Sequence, residues 1–561
     1  MAAWKWRSCA GILALSALVL AACGGAAPTS GTASSASSSS TKAAATSSTA
    51  ASSSSGGTAI VGEFEEPDTL NPIAGPLMFF AQEVQQSLFA NLFTLQPNGS
   101  LAPDLATVVP TTANGGISAN GLTYTLHLRS DAKWTNGKPV TSEDVYVTYQ
   151  LETNPKVKVA SNLGWNDVAS FKTISPTEFQ ITLKKPDQPF LATVFTQTQP
   201  GIVPASVFKG MSAAQVNASP YGHDPTVTDG PYKFVSWQPG AAITVTRNPL
   251  WFGTKPKIKT IVFKIIPSTN TLLTTAEANG LNVFAGVPIQ NVPQVQKIAG
   301  SKLYYANSSL FEMIYTNQRN PILQDVRVRQ ALEMGINRAA IVKTLLGGRG
   351  TLLAADQSPA SWGYDPNLKP WPYDPAQAAK LLTQAGWVMG SGGVRQKNGK
   401  PLSLVYSTTS GNTTREATQR LVQTWLGKIG VKITIHNYEA AALFGTILPS
   451  GQGWDLAEVA YNDQAANPAS PQANFGTGGS FNWGKFSDPT LDHLYAEQAT
   501  MTSQSQRQPV MFQIEKELHT QLPALWLYSP QSIDSTFNMT GYQPNPWMQD
   551  TWNVQDWALT K

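Results

Sequence analysis

Residues 124–150, YTLHLRSDAKWTNGKPVTSEDVYVTYQ, hold four local signals in one run. Tyr124, Leu126 and Leu128 alternate with polar neighbours, which predicts a half-buried strand. Asn136-Gly137 predicts a tight turn, because both residues tolerate positive φ. Thr141 with Asp144 three residues on predicts a capped helix start, with Asp in place of the usual Glu or Gln. Val145 and Tyr149 then share a helical face. Strand, turn, short extended piece and helix together read as a fragment of an α/β domain.

Upstream lies an export leader. Lys5 and Arg7 precede an apolar run from Ala10 to Leu20, and Leu20-Ala21-Ala22-Cys23 follows. The run is too short for a spanning helix, which needs ~20 apolar residues. Leu-Ala-Ala-Cys resembles the bacterial lipobox, so residues 1–22 are expected to be removed and Cys23 to carry a lipid. Cys9 is the only other cysteine and lies in the leader, which excludes a disulfide framework or a cysteine-built metal site in the mature chain. Residues 24–57 are almost all Ser, Ala, Thr and Gly, a composition that cannot offset its own ordering entropy. With Cys23 they form an expected disordered tether, 23–57, with a reach of roughly 30 Å.

The remaining residues are ample for two or more lobes. The chain has 39 Lys+Arg against 35 Asp+Glu, and loss of the leader's two cations brings the balance to about +2. That excludes the concentrated basic face of a nucleic-acid binder. Charged residues make up only 13%, against a typical ~25%, so Ser, Thr, Asn and Gln must supply most of the polar surface.

Along the body, Thr58 to Phe64 reads as a strand, 78–93 as a helix through Val84, Leu88 and Leu92, and 171–183 contains a second alternating strand with Phe179, Ile181 and Leu183 in phase. Residues 228–247 read as a hairpin turning at Gln238-Pro239-Gly240. Residues 303–316 look extended. Then come helices at 325–335, from Asn337 to Leu346, and after Asp374-Pro375, each with a capping residue at its start. Strand 401–407, helix 415–430 and strand 431–435 follow in β-α-β order, the pattern of helices covering a parallel sheet. Strands near 453–461 and 524–528 and helices from 488 and over 510–518 complete the body. The tail holds Trp547, Trp552 and Trp557, too many aromatics for a loose end, so it is expected to pack back on a lobe.

No catalytic constellation is present. There is no Gly-x-Ser-x-Gly, no phosphate-binding G-x4-G-K-[ST], and no G-x-G-x-x-G after a strand. The five histidines are scattered without ligand spacing, so neither a protein-built metal site nor a cofactor is expected. Glu143-Asp144 reads as first-turn charge on a helix dipole rather than as a glycosidase pair.

The wording of the opening stretch carries more than its pattern. Leu128-Arg129, Lys133-Trp134, Gly137-Lys138-Pro139-Val140-Thr141 and Glu143-Asp144-Val145 resemble the family 5 extracellular solute-binding proteins, the peptide- and nickel-binding lipoproteins of ABC importers. Further motifs agree in order: Asp68 to Pro72, Gly230 to Phe234, Arg247-Asn248-Pro249 with Trp251, Asp325 to Leu332, and Tyr373 through Leu381-Leu382 to Gly386. The resemblance implies a two-lobe α/β clamp of the periplasmic-binding-protein kind, type II, with two hinge segments. An extra subdomain is inserted in the first lobe. Mapped onto this chain, lobe 1 spans 58–308 with the insert at about 96–229, lobe 2 spans 309–524, and 525–561 returns to lobe 1. The hinges fall near 306–311 and 522–528.

It also implies an extracytoplasmic, lipid-anchored monomer that encloses a small ligand, expected to be a peptide, and presents it to a permease. The same fold serves nickel chelates, haem and oligosaccharides, and the alternative role is a non-transport receptor or chaperone. In peptide-binding members, a segment like 454–468 supplies an aspartate for the ligand's free amine and an aromatic beside it. Tyr461 matches the aromatic, while the aspartate position falls on Gln464 with Asp463 one place earlier. An arginine that some members carry there is Glu458 in this chain. Glu66 matches a cleft-lining position, and Trp483 is a candidate cleft wall. The expected ligand-binding set is therefore Glu66, Tyr461, Asp463 and Trp483. By the same resemblance Trp134 is structural.

Overall fold

The computed structural model describes residues 56–73, 79–159, 161–196, 201–465, 467–501 and 503–560. The leader, Cys23 and all but the last two tether residues lie outside them. Gly56 is already fixed, its N–H donating to Lys257 O at 2.8 Å. Among the described residues no helix is long and apolar enough to cross a membrane.

In chain order the elements that matter are β1 (Thr58–Glu63) and α1 (Phe79–Leu88). Next come β2 (Thr123–His127), α2 (Ser142–Glu152), β3 (Val168–Ser175) and β4 (Glu178–Leu183). They are followed by β5 (Tyr232–Gln238), β6 (Ala242–Arg247), β7 (Thr260–Ile265), α3 (Thr269–Glu277) and β8 (Val283–Phe284). Then β9 (Ser301–Asn307), β10 (Leu310–Thr316), α4 (Val326–Gly335) and α5 (Pro375–Gln384) follow. The last are β11 (Ser403–Ser407), α6 (Thr413–Lys428), β12 (Lys432–Ile435), β13 (Leu456–Asn462), α7 (Gln504–Gln521) and β14 (Ala524–Phe537).

A continuous sheet runs β12-β11-β13-β10-β14-β8-β1-β7-β6-β5, with β9 also paired to β14. β14 is the strand shared by both lobes. Its first half pairs with β10, from Ala524 opposite Tyr315 to Tyr528 opposite Glu312. Its second half pairs with β9, from Gln531 opposite Asn307 to Phe537 opposite Ser301. The chain between β9 and β10 is only Ser308-Ser309, and β14 changes partner over the same level. The two lobes meet there.

In lobe 2, successive residues of β10 and β14 feed opposite cores. Ile314, Leu525 and Leu527 pack with Leu332, Leu382 and Val422 of α4, α5 and α6. Met313, Tyr315 and Trp526 pack with Leu494, Ile514 and Leu518 on the other face. A sheet covered on both faces needs such apolar runs, and the parallel β11-β12 pair spanned by α6 is the expected β-α-β unit.

The opening stretch folds as its sequence predicts. β2 pairs with β4, and Gly137 takes a φ of +83° in the turn. Thr141 N–H donates to Asp144 Oδ2 at 2.7 Å, and Asp144 Oδ1 also accepts the Ala205 N–H at 2.7 Å. Trp134 is buried in the core of the first lobe. The tail packs back as expected, with Trp547 and Trp557 buried.

Four expectations are corrected in detail. The helix read over 78–93 ends at Leu88, because Gly230 N–H donates to Leu88 O and Ala90 N–H donates to Asp229 Oδ1. The returning segment caps the helix, and Leu92 is buried beyond its end. The alternating strand expected within 171–183 is β4, and the residues before its turn at Pro176-Thr177 belong to a separate strand, β3. The extended run 303–316 is β9 and β10, broken at Ser308-Ser309. The strand read over 524–528 continues to Phe537, through a Ser-rich run with no apolar pattern to announce it.

Candidate functional site

β13 ends where the lobes meet. Its alternation sends Leu456 and Glu458 toward α6, and Ala457, Val459 and Tyr461 toward the other face. Glu458 is fully buried and accepts the Tyr406 hydroxyl at 2.6 Å, so the acid that replaces the arginine of some relatives faces the interior of lobe 2. Beside it the Arg415 guanidinium pairs with Glu312.

Tyr461 is half-buried in a ring cluster. Trp483 lies 6.5 Å away, Tyr315 6.2 Å edge-on, and Phe311 6.2 Å. Trp483 is itself buried and touches Tyr315, Phe444 and Phe481 at 5.8–5.9 Å. Phe444 and Phe481 are 38% and 47% exposed. Trp483 therefore backs an aromatic wall whose outer rings meet solvent.

Asp463 follows immediately. Its N–H donates to Ser309 O at 2.8 Å, and its Oδ2 accepts the Ser358 N–H at 2.5 Å. Its Oδ1 meets no donor among the described residues. Burial, with Asp356 nearby, pushes this carboxyl well above its usual range. Gln464, one place on, is exposed. Of the two residues at the aligned position, the carboxylate is the one turned inward.

Glu66 is placed elsewhere. Its Oε1 accepts the Trp237 Nε1–H at 2.8 Å, and the Gly240 N–H reaches both its oxygens at 3.0 Å. These contacts fasten the β1 exit loop to the β5–β6 hairpin. Tyr461 and Trp483 are brought together, Asp463 lies two residues beyond Tyr461, and Glu66 is bonded to the hairpin instead.

Two cavities flank this region. One, of about 340 Å³, lies between the subdomain residues Val109, Tyr124 and Leu191 and the lobe 2 residues Trp362, Ala465 and Gln504. The Arg507 guanidinium, from α7, bridges the same gap by donating to Gln188 Oε1. The other, of about 390 Å³, opens beside Ser308 and Ser309 and reaches the end of β1, α1 and the tail. Glu63 and Glu83 line it. The sequence reading missed both. Glu63 had a signal: it is in phase with the buried Ala59 and Val61 of β1, where an acid is out of place. Among the described residues no group of three or more His, Cys, Asp or Glu side chains is arranged to hold a metal.

A sequence model of the bacterial extracellular solute-binding proteins, family 5, matches residues 101–483, more than half of the chain. The oligopeptide-binding protein AppA of Bacillus subtilis is 26% identical over 452 residues, covering 79% of this chain and 81% of its own. The nickel-binding periplasmic protein of Escherichia coli is 26% identical over 385 residues, covering 67% and 70%. The solved structure of Bacillus subtilis AppA in complex with a nonapeptide superposes with a TM-score of 0.72 at 24% identity, covering 91% of this chain and all of that one. A two-lobe α/β clamp that meets its partner lobe through one shared strand, with these relatives, places the chain among the bacterial extracellular solute-binding proteins, family 5, to which it belongs.

Proposed function

We propose that this protein captures a peptide in the cleft beside Tyr461 and Asp463 and presents the closed clamp to an ABC importer permease. The reading is carried by one observation: Asp463 Oδ1, a buried carboxylate oxygen with no donor among the described residues, belongs to the residue two places beyond Tyr461 of the aromatic wall. An ammonium from a peptide N-terminus supplies the missing donor, and the aromatic wall takes the adjacent chain without demanding one sequence. Trp483 holds the wall in place, and Glu66 fixes the hairpin at the rim.

The lobes are taken as 58–308, with the insert at about 96–229, and 309–528, with 529–561 returning to lobe 1, because Leu525, Trp526 and Leu527 pack in the cores of the second lobe. Closure rotates them about Ser308-Ser309 and the stretch of β14 near Ser529 to Gln531, where its partner changes. Binding energy then shifts the open–closed equilibrium toward the shape the permease reads. The protein works as a monomer, carries no cofactor, leaves its ligand chemically unchanged, and is held outside the membrane by a lipid on Cys23.

Native mass spectrometry of the purified protein with a mixture of tetrapeptides tests this. One-to-one complexes that release intact peptide, with compaction in small-angle scattering, are the expected result. Cleaved or covalently altered peptide, or the absence of any saturable complex, overturns it.

A further inference from the structure

Beyond the peptide's N-terminus, the cavity of about 390 Å³ has a chemistry of its own. Four carboxylates converge on it from four parts of the chain: Glu63 from β1, Glu83 from α1, Asp534 from β14 and Asp550 from the tail. Glu63, Glu83 and Asp534 are more than nine-tenths buried, and Asp550 is half-buried. Their contacts are made with neutral donors. Gly286 N–H donates to Asp534 Oδ1 at 3.0 Å, the Tyr542 hydroxyl to Asp550 Oδ1 at 2.6 Å, and Asp550 N–H to Glu83 Oε2 at 3.1 Å. Glu63 Oε1 and Glu83 Oε1 meet no donor among the described residues. None of the ion pairs among those residues involves any of the four.

Buried acids without a cation are costly, and these carboxyls resist ionisation. Burial, and then the neighbouring charge of Asp550, hold Glu63 and Glu83 well above the usual carboxyl range. Asp550 is pushed up to about 8 by burial and by Asp534. The other wall is apolar, formed by Leu272, Phe284 and Met548. An acidic end with an apolar flank suits a charged head on a hydrocarbon stem. The carboxylates are not arranged as metal ligands, so a compact divalent ion is not the match.

We propose that this cavity is a subsite for an organic cation with an apolar stem, an ammonium or guanidinium on an alkyl chain. Its source is a lysine- or arginine-type side chain of the bound peptide or a free alkyl amine of the same shape. The peptide form rests on the functional reading above, and the free-amine form does not. Ser309 joins the two regions: it lines the cavity, and its carbonyl accepts the Asp463 N–H.

The test is calorimetry on the full body with three probes. These are tetra-alanine, tetra-alanines with one position changed in turn to lysine or to norleucine, and 1,5-diaminopentane. At one position lysine should bind on the order of 10- to 100-fold tighter than norleucine. Glu63→Gln and Glu83→Gln, each keeping side-chain shape, should abolish that preference while leaving tetra-alanine binding intact. A measurement on the unaltered protein guards against misfolded variants. Lysine-peptide binding should release protons from the cluster, seen as a heat that depends on the buffer's ionisation enthalpy, and norleucine-peptide binding should not. Peptide binding with no lysine preference overturns the subsite and leaves the peptide reading standing. Binding of 1,5-diaminopentane alone, lost in Glu63→Gln, supports the subsite and overturns the peptide reading. Binding of no probe overturns both.

Discussion

Replacing Asp463 by asparagine separates a ligand contact from a structural one. The carboxylate has two oxygens with different employment. Oδ2 accepts the Ser358 N–H at 2.5 Å, while Oδ1 has no donor among the described residues. Asparagine retains an acceptor for Ser358 and puts an N–H₂ where the free oxygen was. Alanine would leave the Ser358 N–H unpartnered as well, confusing the two effects. A hydrogen bond to a charged group contributes about 1.5–3 kcal/mol, and every 1.4 kcal/mol is tenfold in Kd. Asp463→Asn should therefore weaken a free-amine tetrapeptide by about 10- to 150-fold. The N-acetylated peptide, with no cation to lose, should change by less than about threefold. The double difference isolates the amine–carboxylate term from any general loosening of the site. The pH dependence has a fixed sign. Burial holds this carboxyl well above its usual range, so it must give up a proton to meet an ammonium. Free-amine affinity should rise with pH, with proton release, and the acetylated peptide should show neither. Titration calorimetry of both peptides against both proteins reads every quantity. Equal weakening of the two peptides, or none, refutes the assignment and leaves Asp463 as a loop anchor for Ser358.

Three further outcomes follow from local geometry. Gly230→Ala places a Cβ 2.5–2.7 Å from the backbone of Leu88 and Phe89, which close the end of α1 and have nowhere to move. It should cost about 1–3 kcal/mol in urea unfolding, and a cost below 0.5 kcal/mol would show that the junction yields. Glu152 is buried with its carboxyl pushed up to about 8 by desolvation, so its contribution is full below an unfolded pKa of ~4.3 and is lost as pH rises toward 8. Glu152→Gln, which does not titrate, should gain on the parent by about 1.4 kcal/mol per pH unit between pH 5 and 7.5, and parallel stability curves would refute this. Gln188→Ala removes the acceptor that Arg507 reaches across the gap, so it should favour the open clamp and weaken peptide binding by roughly tenfold. Unchanged affinity and scattering profile would show that the bridge does not hold the lobes.

What the sequence made legible follows the range of the forces involved. Local signals transferred almost intact. The cap at Thr141 and Asp144, the turn at Gly137, and the helix starts at Asn337 and Asp374 depend on residues within one turn of each other, and all form. β14 was half-read because pattern reading needs a dry face, and its second half buries Ser535 and Thr536 beside an acid. No local pattern marks the break at Ser308-Ser309, and only the family resemblance put a hinge over 306–311. At the site, Tyr461 and Asp463 were found through ordered wording rather than chemistry. Glu66 was named through its match to a cleft-lining position, whereas Glu63, three residues earlier and in register with buried positions, is the acid that reaches a cavity. Glu83 and Asp550 lie hundreds of residues apart, and no local pattern brings them together.

This distribution of charge explains something about how such a clamp is built with only 13% charged residues. A surface made mostly of Ser, Thr, Asn and Gln exerts little long-range field. Among the described residues neither Asp463 nor any acid of the Glu63 group has an ion-pair partner, unlike Glu312 with Arg415. Asp463 with Asp356 sits on one side of Ser309, and the Glu63 group sits on the other. Both lie against β14 or the two-residue link beside it, the elements that closure must bend. Neutralising these acids and reshaping the junction are therefore coupled steps. A cation that enters relieves the repulsion that burial imposes, and it does so where the lobes pivot. A neutral ligand of equal size fills the same space without that relief. Closure should therefore respond to ligand charge as well as to ligand fit, and a peptide bearing its free amine should compact the protein at lower occupancy than its acetylated twin.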